Sequence, residues 1–317
     1  MENILTIVIP TYNRNEYLLK QCKRLLPQLN DSIFLIIMDN NSDYPAQEYL
    51  IKNGLIFDKN VQFIRHETNI GGDANIARAF EFCHTEWLWI LSDDDLISNT
   101  ALLEILSLIN QKRSYLFINL NAPKNLITRG LFDFCKKMPS FSNAFFISIC
   151  LYNNLKLKPY LCYYYHFLSS HFGQLLFVLK YLEENPSDLC YFSNLSVLEQ
   201  SRQADWSRLS FLNFLPVLRS FKNSNNYKAY IQLKEKALPL VLNILIITRY
   251  VDHISRTKYF KIFFRVSFVF TLKYFINIHI QLLLFENILI FISKNLFSLF
   301  INAVKLVFKK TIFSYND

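Results

Sequence analysis

The sequence predicts an α/β fold followed by a basic, mainly helical region, and three observations carry that prediction. Short apolar runs alternate with segments of helical periodicity through the first half of the chain. Each of those runs ends in a polar cluster. Charge is unevenly spread: residues 1–206 hold 18 Lys/Arg against 21 Asp/Glu, whereas residues 207–317 hold 16 against 4. Strand–helix alternation favours a parallel-type sheet with crossover connections. In such sheets the residues that follow the strands gather along one edge, where ligands bind. A chain of 317 residues allows one large domain or two of ordinary size.

Taken in order, Leu5–Ile9 is a β-branched run expected to stop at Pro10, with Thr11-Tyr12-Asn13-Arg14 as a polar loop. Leu18, Cys22, Leu25, Leu26 and Leu29 then recur at helical spacing, with Lys20, Lys23 and Arg24 on the opposite face. Ile33–Met38 is a second apolar run, ending in Asp39-Asn40-Asn41-Ser42-Asp43. A third, Val61–Ile64, precedes Arg65 to Asp73, and a helix is expected from about residue 74 to 82. Trp87–Leu91 reads as a fully buried strand running into Ser92-Asp93-Asp94-Asp95.

Three adjacent carboxylates at the end of a buried strand repel one another and take up protons unless a cation sits among them. Hard divalent ions with oxygen ligands, Mg²⁺ or Mn²⁺, suit such a set. The competing interpretation is an acidic turn capping a helix begun at Leu96. The other clusters have uses if the ligand is a nucleotide. Asp39 can accept from a base or a ribose hydroxyl, Thr11 and Arg14 can meet a base or phosphate, and Gly71-Gly72 allows close backbone approach at a helix mouth. Equally, Asp39 and Ser42 could be turn-formers, Gly71-Gly72 a bend and Arg14 a solvated charge.

Thr6 to Arg14, Asp39 to Asp43, Asn69-x-Gly71 with Asn75 and Ala77, and Leu91 to Asp95 together resemble glycosyltransferase family 2, over about residues 4–110. The resemblance implies a GT-A fold, in which a nucleotide-binding half joins an acceptor half. It implies that Pro10, Thr11, Tyr12, Arg14, Asp39, Asn69, Gly71, Asn75, Asp93 and Asp94 line the nucleotide pocket. It also implies that Asp93, Asp94 and Asp95 hold the metal. Asp93 with Asp95 is the literal D-x-D match, and Asp94 is the ligand if the strand end shifts by one.

Inverting sugar transfer needs a general base for the acceptor hydroxyl. The family supplies an Asp, often from a Glu-Asp pair opening a helix, and no such pair stands in the expected window. His171, within Tyr163 to Gln174 and ahead of a helix expected over Leu175–Leu182, occupies that place. It resembles a subgroup acting on bacterial surface polysaccharides, and His can serve as a base near neutral pH. Asp188, Asp205 and Glu199 are the alternatives, and His171 could instead be a packing or capping residue. The aromatic run Tyr160–Phe167 could stack on sugar rings or fill the core. Arg202, in the last polar loop, could meet the diphosphate.

The division expected is a GT-A domain over 1–215 and a basic, apolar helical tail over 216–317. Tyr274–Ser293 comes nearest to a membrane span, but Asn277, His279, Gln281, Glu286 and Asn287 interrupt it. Amphipathic helices lying on an anionic membrane surface fit better. Nucleic acid is excluded as a partner, since Lys and Arg are dispersed through apolar sequence and no binding motif is present. The six Cys show no paired spacing, so reduced thiols in a cytoplasmic compartment are expected, and no signal peptide is read at the N-terminus. The sequence thus predicts a metal-dependent, inverting enzyme moving a sugar from a nucleotide-sugar, UDP-linked, to a lipid-linked or polysaccharide acceptor. It would sit on the inner face of a bacterial plasma membrane and serve lipopolysaccharide or capsule synthesis. A nucleotidyltransferase competes, though no Gly follows the first strand, and so does a non-catalytic assembly protein on a degenerate GT-A fold.

Overall fold

The computed structural model describes residues 4–200, 228–229 and 232–233, all within the first of the chain's two units, Met1–Tyr259. Asp205, Arg202 and nearly all of the 216–317 tail lie outside the described residues. The four described tail residues are helical.

The elements run β1 (Leu5–Thr11), α1 (Asn15–Leu25), β2 (Ile33–Asp39), α2 (Ala46–Lys52), β3 (Val61–Arg65), α3 (Gly72–Phe82), β4 (Trp87–Ile90), β5 (Leu96–Ile97) and α4 (Ala101–Gln111). Then follow β6 (Phe117–Asn119), β7 (Leu126–Arg129), α5 (Gly130–Lys137), α6 (Phe141–Phe145), β8 (Cys150–Asn153), α7 (Asn154–Leu157), α8 (Leu161–His166), α9 (Gly173–Glu184), β9 (Leu189–Phe192) and β10 (Leu198–Gln200). Eight strands form one sheet in the order β3-β2-β1-β4-β8-β6-β9-β7.

The first four of these strands are mutually parallel, as the strand–helix alternation predicts. β1 and β4 are buried nearly throughout, in keeping with continuous apolar runs covered on both faces. β1 outlasts the expected stop at Pro10 and pairs with β2 as far as Thr11↔Asp39. The Thr11 carbonyl accepts from Asn40 on the β2 side, and the Val8 carbonyl accepts from Leu91 on the β4 side. By alternation the Pro10 nitrogen faces β4, where its missing N–H removes the next rung of that ladder. β4 therefore separates from β1 just before Ser92, and the acidic triplet turns away from the sheet.

The second half corrects the expectation of a parallel-type sheet. β8 is antiparallel to both β4 and β6, while β9 is parallel to β6 and β7 antiparallel to β9. β4, β6 and β9 thus share one direction. The carboxyl end of β4 is therefore flanked by the amino end of β8, which brings the residues ahead of Cys150 beside the triplet. Nor does Asp95 cap a helix. Leu96–Ile97 pairs with β10, and α4 starts only at Ala101.

Two members of the aromatic run, Tyr164 and Phe167, are buried in the core, whereas Tyr165 is exposed. Tyr164 is 1% exposed and its ring lies 5.6 Å from Phe80 and 5.4 Å from Phe177. Gly173, the first residue of α9, abuts this ring. A Cβ there would stand 2.5 Å from it. Gly173→Ala is therefore expected to destabilise the protein by about 1–3 kcal/mol through overpacking, seen as a lower Tm. An unchanged melt would mean that the Tyr164 ring can swing aside. All six Cys are free, and only Cys162 is exposed.

Candidate active site

The loops that leave β1, β2 and β3 are tied together by their own polar side chains. Asn13 adopts a left-handed backbone (φ 53°), which Asn tolerates better than most residues. Its N–H donates to Ser42 Oγ at 2.9 Å, its Nδ2 donates to Asp43 at 3.1 Å, and its Oδ1 accepts from the Asp43 N–H at 2.8 Å. The next loop is held by Asn40, whose Nδ2 donates to Asn69 Oδ1 at 2.8 Å and whose Oδ1 accepts from the Ile70 N–H at 3.0 Å. Asn69 Oδ1 also accepts from the Gly71 N–H at 2.9 Å. Gly71 has φ 86°, a conformation that a side chain would strain, and it opens directly into α3. Three strand ends thus present one continuous rim.

Several predicted nucleotide ligands spend their polar atoms on this rim. Asp39 is 4% exposed and accepts from the N–H groups of Ser42 (2.8 Å) and Ala46 (3.1 Å) and from Arg65 (2.5 Å). Burial works against its charge, but these donors outweigh burial and hold the carboxyl below its ordinary range. Asn75 is buried beneath the rim, where it faces His66 Nε2 at 2.9 Å and donates to the Met38 carbonyl at 3.4 Å. Pro10 and Thr11 end β1, and Tyr12 is exposed.

The triplet alternates. Asp93 and Asp95 are each 2% exposed, and Asp94 lies between them on the more open side. Asp93 accepts from Thr11 Oγ1 at 2.8 Å and pairs with Arg14 at 3.1 Å. Asp94 accepts from Ser92 Oγ at 2.6 Å and also pairs with Arg14. Asp95 accepts from Ser148 Oγ at 2.5 Å, and Ser148 in turn takes the Ser92 N–H at 3.0 Å. One guanidinium, 37% exposed, therefore serves two carboxylates, and among the described residues Asp95 accepts a side-chain hydrogen bond from a hydroxyl alone. Burial pushes Asp93 up to about 6 against the pull of Arg14 and Thr11, and pushes Asp95 up to about 6 against that of Ser148. The site is short of positive charge. Its donors are the hard oxygens that Mg²⁺ and Mn²⁺ prefer. Among the described residues no three His, Cys, Asp or Glu side chains converge as a ready cage. That is compatible with Mg²⁺, which commonly takes one or two carboxylates and completes its shell with water and phosphate.

His171 reaches the same edge from the other half of the chain. Its Nδ1 lies 2.5 Å from Oδ2 of Asp73, in the first turn of α3 just beyond Gly71-Gly72. A second tether runs through Gln174, whose Nε2 donates to the Phe145 carbonyl at 3.0 Å, three residues from Ser148. The His171 turn is thus stitched to the β3 rim on one side and to the segment that holds Asp95 on the other. Asp188 is not brought there. It sits just before the amino end of β9, which runs in the direction of β4, so it lies at the opposite edge of the sheet. There it pairs with Lys156 at 2.9 Å and accepts from Tyr181 at 2.7 Å. Glu199 is in β10, paired with Arg24 at 3.3 Å. Sequence reasoning assigned no role to Asp73, Ser148 or Arg65. Asp73 ends the polar stretch Arg65 to Asp73 that follows the third apolar run, whereas nothing in the sequence marks Ser148.

Residues 6–124 match the sequence profile of the Glycosyl transferase family 2. This segment is a family 2 glycosyltransferase domain. It contains every rim loop and the whole triplet but not His171. An uncharacterized glycosyltransferase of Methanocaldococcus jannaschii is 30% identical over 95 residues, which is 29% of this chain and 32% of that protein. The chain thus spans about a third of that relative. Among solved structures, S. aureus TarS 1–349 superposes with a TM-score of 0.57 at 14% identity, covering 78% of this chain and 76% of that one. The same protein in complex with UDP-GlcNAc superposes with a TM-score of 0.58 at 13% identity, covering 83% and 82%. The family 2 domain therefore belongs to a GT-A fold, as its motifs imply.

Proposed function

We propose that this chain is a metal-dependent, inverting glycosyltransferase that moves a sugar from a nucleotide-sugar to a hydroxyl acceptor. The observation that carries the proposal is the under-neutralised triplet Asp93–Asp95 at the carboxyl edge of a family 2 domain, since an anionic diphosphate can dock on such a site only with an added cation. Asp93, Asp94 and Asp95 would hold Mg²⁺ or Mn²⁺, which neutralises charge on the leaving diphosphate. Arg14, 37% exposed and paired with both Asp93 and Asp94, would turn toward the phosphates. The rim from Pro10 to Arg14 and from Asn69 to Gly71 walls the nucleoside, with Asp39 and Asn75 holding the wall rather than the ligand. His171 takes the acceptor proton while the oxygen attacks from the face opposite the leaving group. A uridine nucleotide is favoured because the fold-mate TarS is solved with UDP-GlcNAc and with UDP. The direct test is a panel of nucleotide sugars with Mn²⁺ present, scored for nucleoside diphosphate release by the full chain. No release from any donor would leave a non-catalytic protein on this fold.

The acceptor we propose is lipid-linked or a polysaccharide, in lipopolysaccharide or capsule synthesis. The 216–317 tail would hold the 1–215 domain at the inner face of a bacterial plasma membrane. What supports this is composition: 16 basic residues against 4 acidic in residues 207–317, interleaved with Phe, Ile and Leu. Among the described residues no helix is long and apolar enough to cross a membrane. Each basic residue near an anionic surface contributes about 1 kcal/mol. The full chain is therefore expected to co-sediment with anionic vesicles more than with neutral ones, and high salt should release only part of it. Equal sedimentation with both would remove the electrostatic half of the argument.

A further inference from the structure

Asp73 has no assigned part in the site, yet among the described residues it makes the one side-chain hydrogen bond that orients His171. We infer that Asp73 is a positioning residue for the transfer: it accepts the Nδ1–H of His171 and so presents the Nε2 lone pair to the acceptor hydroxyl. The inference rests on His171 being the base. Three observations support it. The Nδ1–Oδ2 separation of 2.5 Å joins residues 98 apart in sequence, on α3 and on the turn before α9. Nε2 has no hydrogen-bond partner among the described residues, so the ring is held by one nitrogen only. Finally, the backbone accepts an unfavourable conformation to put the ring there.

His171 has φ 61°, left-handed for a residue with a side chain. Such outliers persist only where their surroundings hold them, and they cluster at functional sites. Here the support is visible. Ser170 Oγ donates to the Phe167 carbonyl at 2.5 Å and accepts from the Phe172 N–H at 3.1 Å. Phe172, 1% exposed, packs its ring 4.7 Å from Phe145. On the other side, Gly71 sets the start of α3, and Asp73 follows in its first turn. A packing residue would need neither the strained turn nor a carboxylate at its Nδ1.

Chemically, a base that delivers one lone pair must keep its other nitrogen protonated, and an acceptor at Nδ1 selects that tautomer. A carboxylate also stabilises the imidazolium that forms when the acceptor proton arrives. Burial pushes the Asp73 carboxyl up while His171 pulls it back, so the imidazole N–H is the donor this carboxylate needs. The other titratable group set against Asp73 is the Tyr164 hydroxyl on α8. Burial and Asp73 push it well above its ordinary value, so it stays neutral.

The test combines a readout that needs no substrate with one that does. Long-range ¹⁵N–¹H spectra of the full chain, with His171 assigned by its loss in His171→Ala, are expected to show an Nδ1–H tautomer in the native protein. In Asp73→Ala that tautomer should give way to Nε2–H. With whichever donor the panel identifies, Asp73→Ala should lower kcat at least about tenfold with the donor KM unchanged, and should cost nothing further in a His171→Ala background. If Asp73→Ala does not fold, Asp73→Asn removes the charge at constant size, and kcat should then fall with the donor KM unchanged. An unchanged tautomer in Asp73→Ala, or an unchanged kcat in either Asp73 variant beside an inactive His171→Ala, overturns the role of Asp73. An active His171→Ala instead overturns the assignment of the base, and the inference with it.

Discussion

Replacing His171 with Ala is expected to lower turnover by about 10²–10⁴-fold, the range typical of removing a general base, while leaving donor affinity nearly unchanged. The reason lies in where its tethers run. Asp73 holds His171 to the start of α3, and Gln174 holds the same turn to the segment carrying Ser148 and Asp95. The imidazole is therefore tied to the start of α3, and among the described residues it makes no hydrogen bond to the acidic triplet. Its loss should spare binding and damage only the step that removes the acceptor proton. Single-turnover transfer with nucleotide affinity measured on the same preparations would separate the two. Transfer at the native rate would move the base to Asp205 or Glu199. It would not move it to Asp188, which faces the opposite edge beside Lys156.

What the sequence discloses and what it hides divide along a physical line. The strands β1 to β4 are legible because short apolar runs bounded by polar clusters have few alternative conformations, and the edge on which those clusters collect follows from parallel connectivity alone. The mixed second half is not legible. Whether β8 enters the sheet parallel or antiparallel to β4 depends on pairing across more than sixty residues, which no local period encodes. The same limit applies to side-chain partners. Asp39 and Asn75 are readable as polar residues at a ligand edge, but their use as internal braces depends on Arg65, Ala46 and His66, each brought in by the fold. Pro10 reads locally as a strand stop. In the sheet it removes only the rung toward β4, because the rung it deletes is on the side where that strand departs.

The second large effect expected is at the triplet, and it is visible without substrate. An unfolded Asp loses its proton near pH 3.9, whereas Asp93 and Asp95 retain theirs up to about pH 6. Between those values the folded protein holds protons that the unfolded chain has released, so these two groups favour folding less and less as pH rises through the window. Above it, two ionised, nearly buried carboxylates remain as a standing cost, with Arg14 paired to Asp93 and a hydroxyl donating to Asp95. A divalent cation would relieve that cost, and it binds carboxylates only after their protons have gone. Mn²⁺ is therefore expected to raise Tm at pH 7.5 and to have little effect at pH 5. At a free concentration one hundred times Kd the stabilisation is about 2.7 kcal/mol, which for a domain of this size corresponds to a Tm increase of several °C, at about 2–4 °C per kcal/mol. Asp95→Asn keeps an acceptor for Ser148 and removes one charge. It should raise the metal-free Tm at pH 7.5, shrink the response to Mn²⁺ and abolish turnover. Chelator should weaken nucleoside diphosphate binding in the native protein and have little effect on that variant. A Mn²⁺ shift of equal size at both pH values would place the ion elsewhere. Nucleotide binding unaffected by chelator would mean that Arg14, already paired with Asp93 and Asp94, is the only cation the site requires.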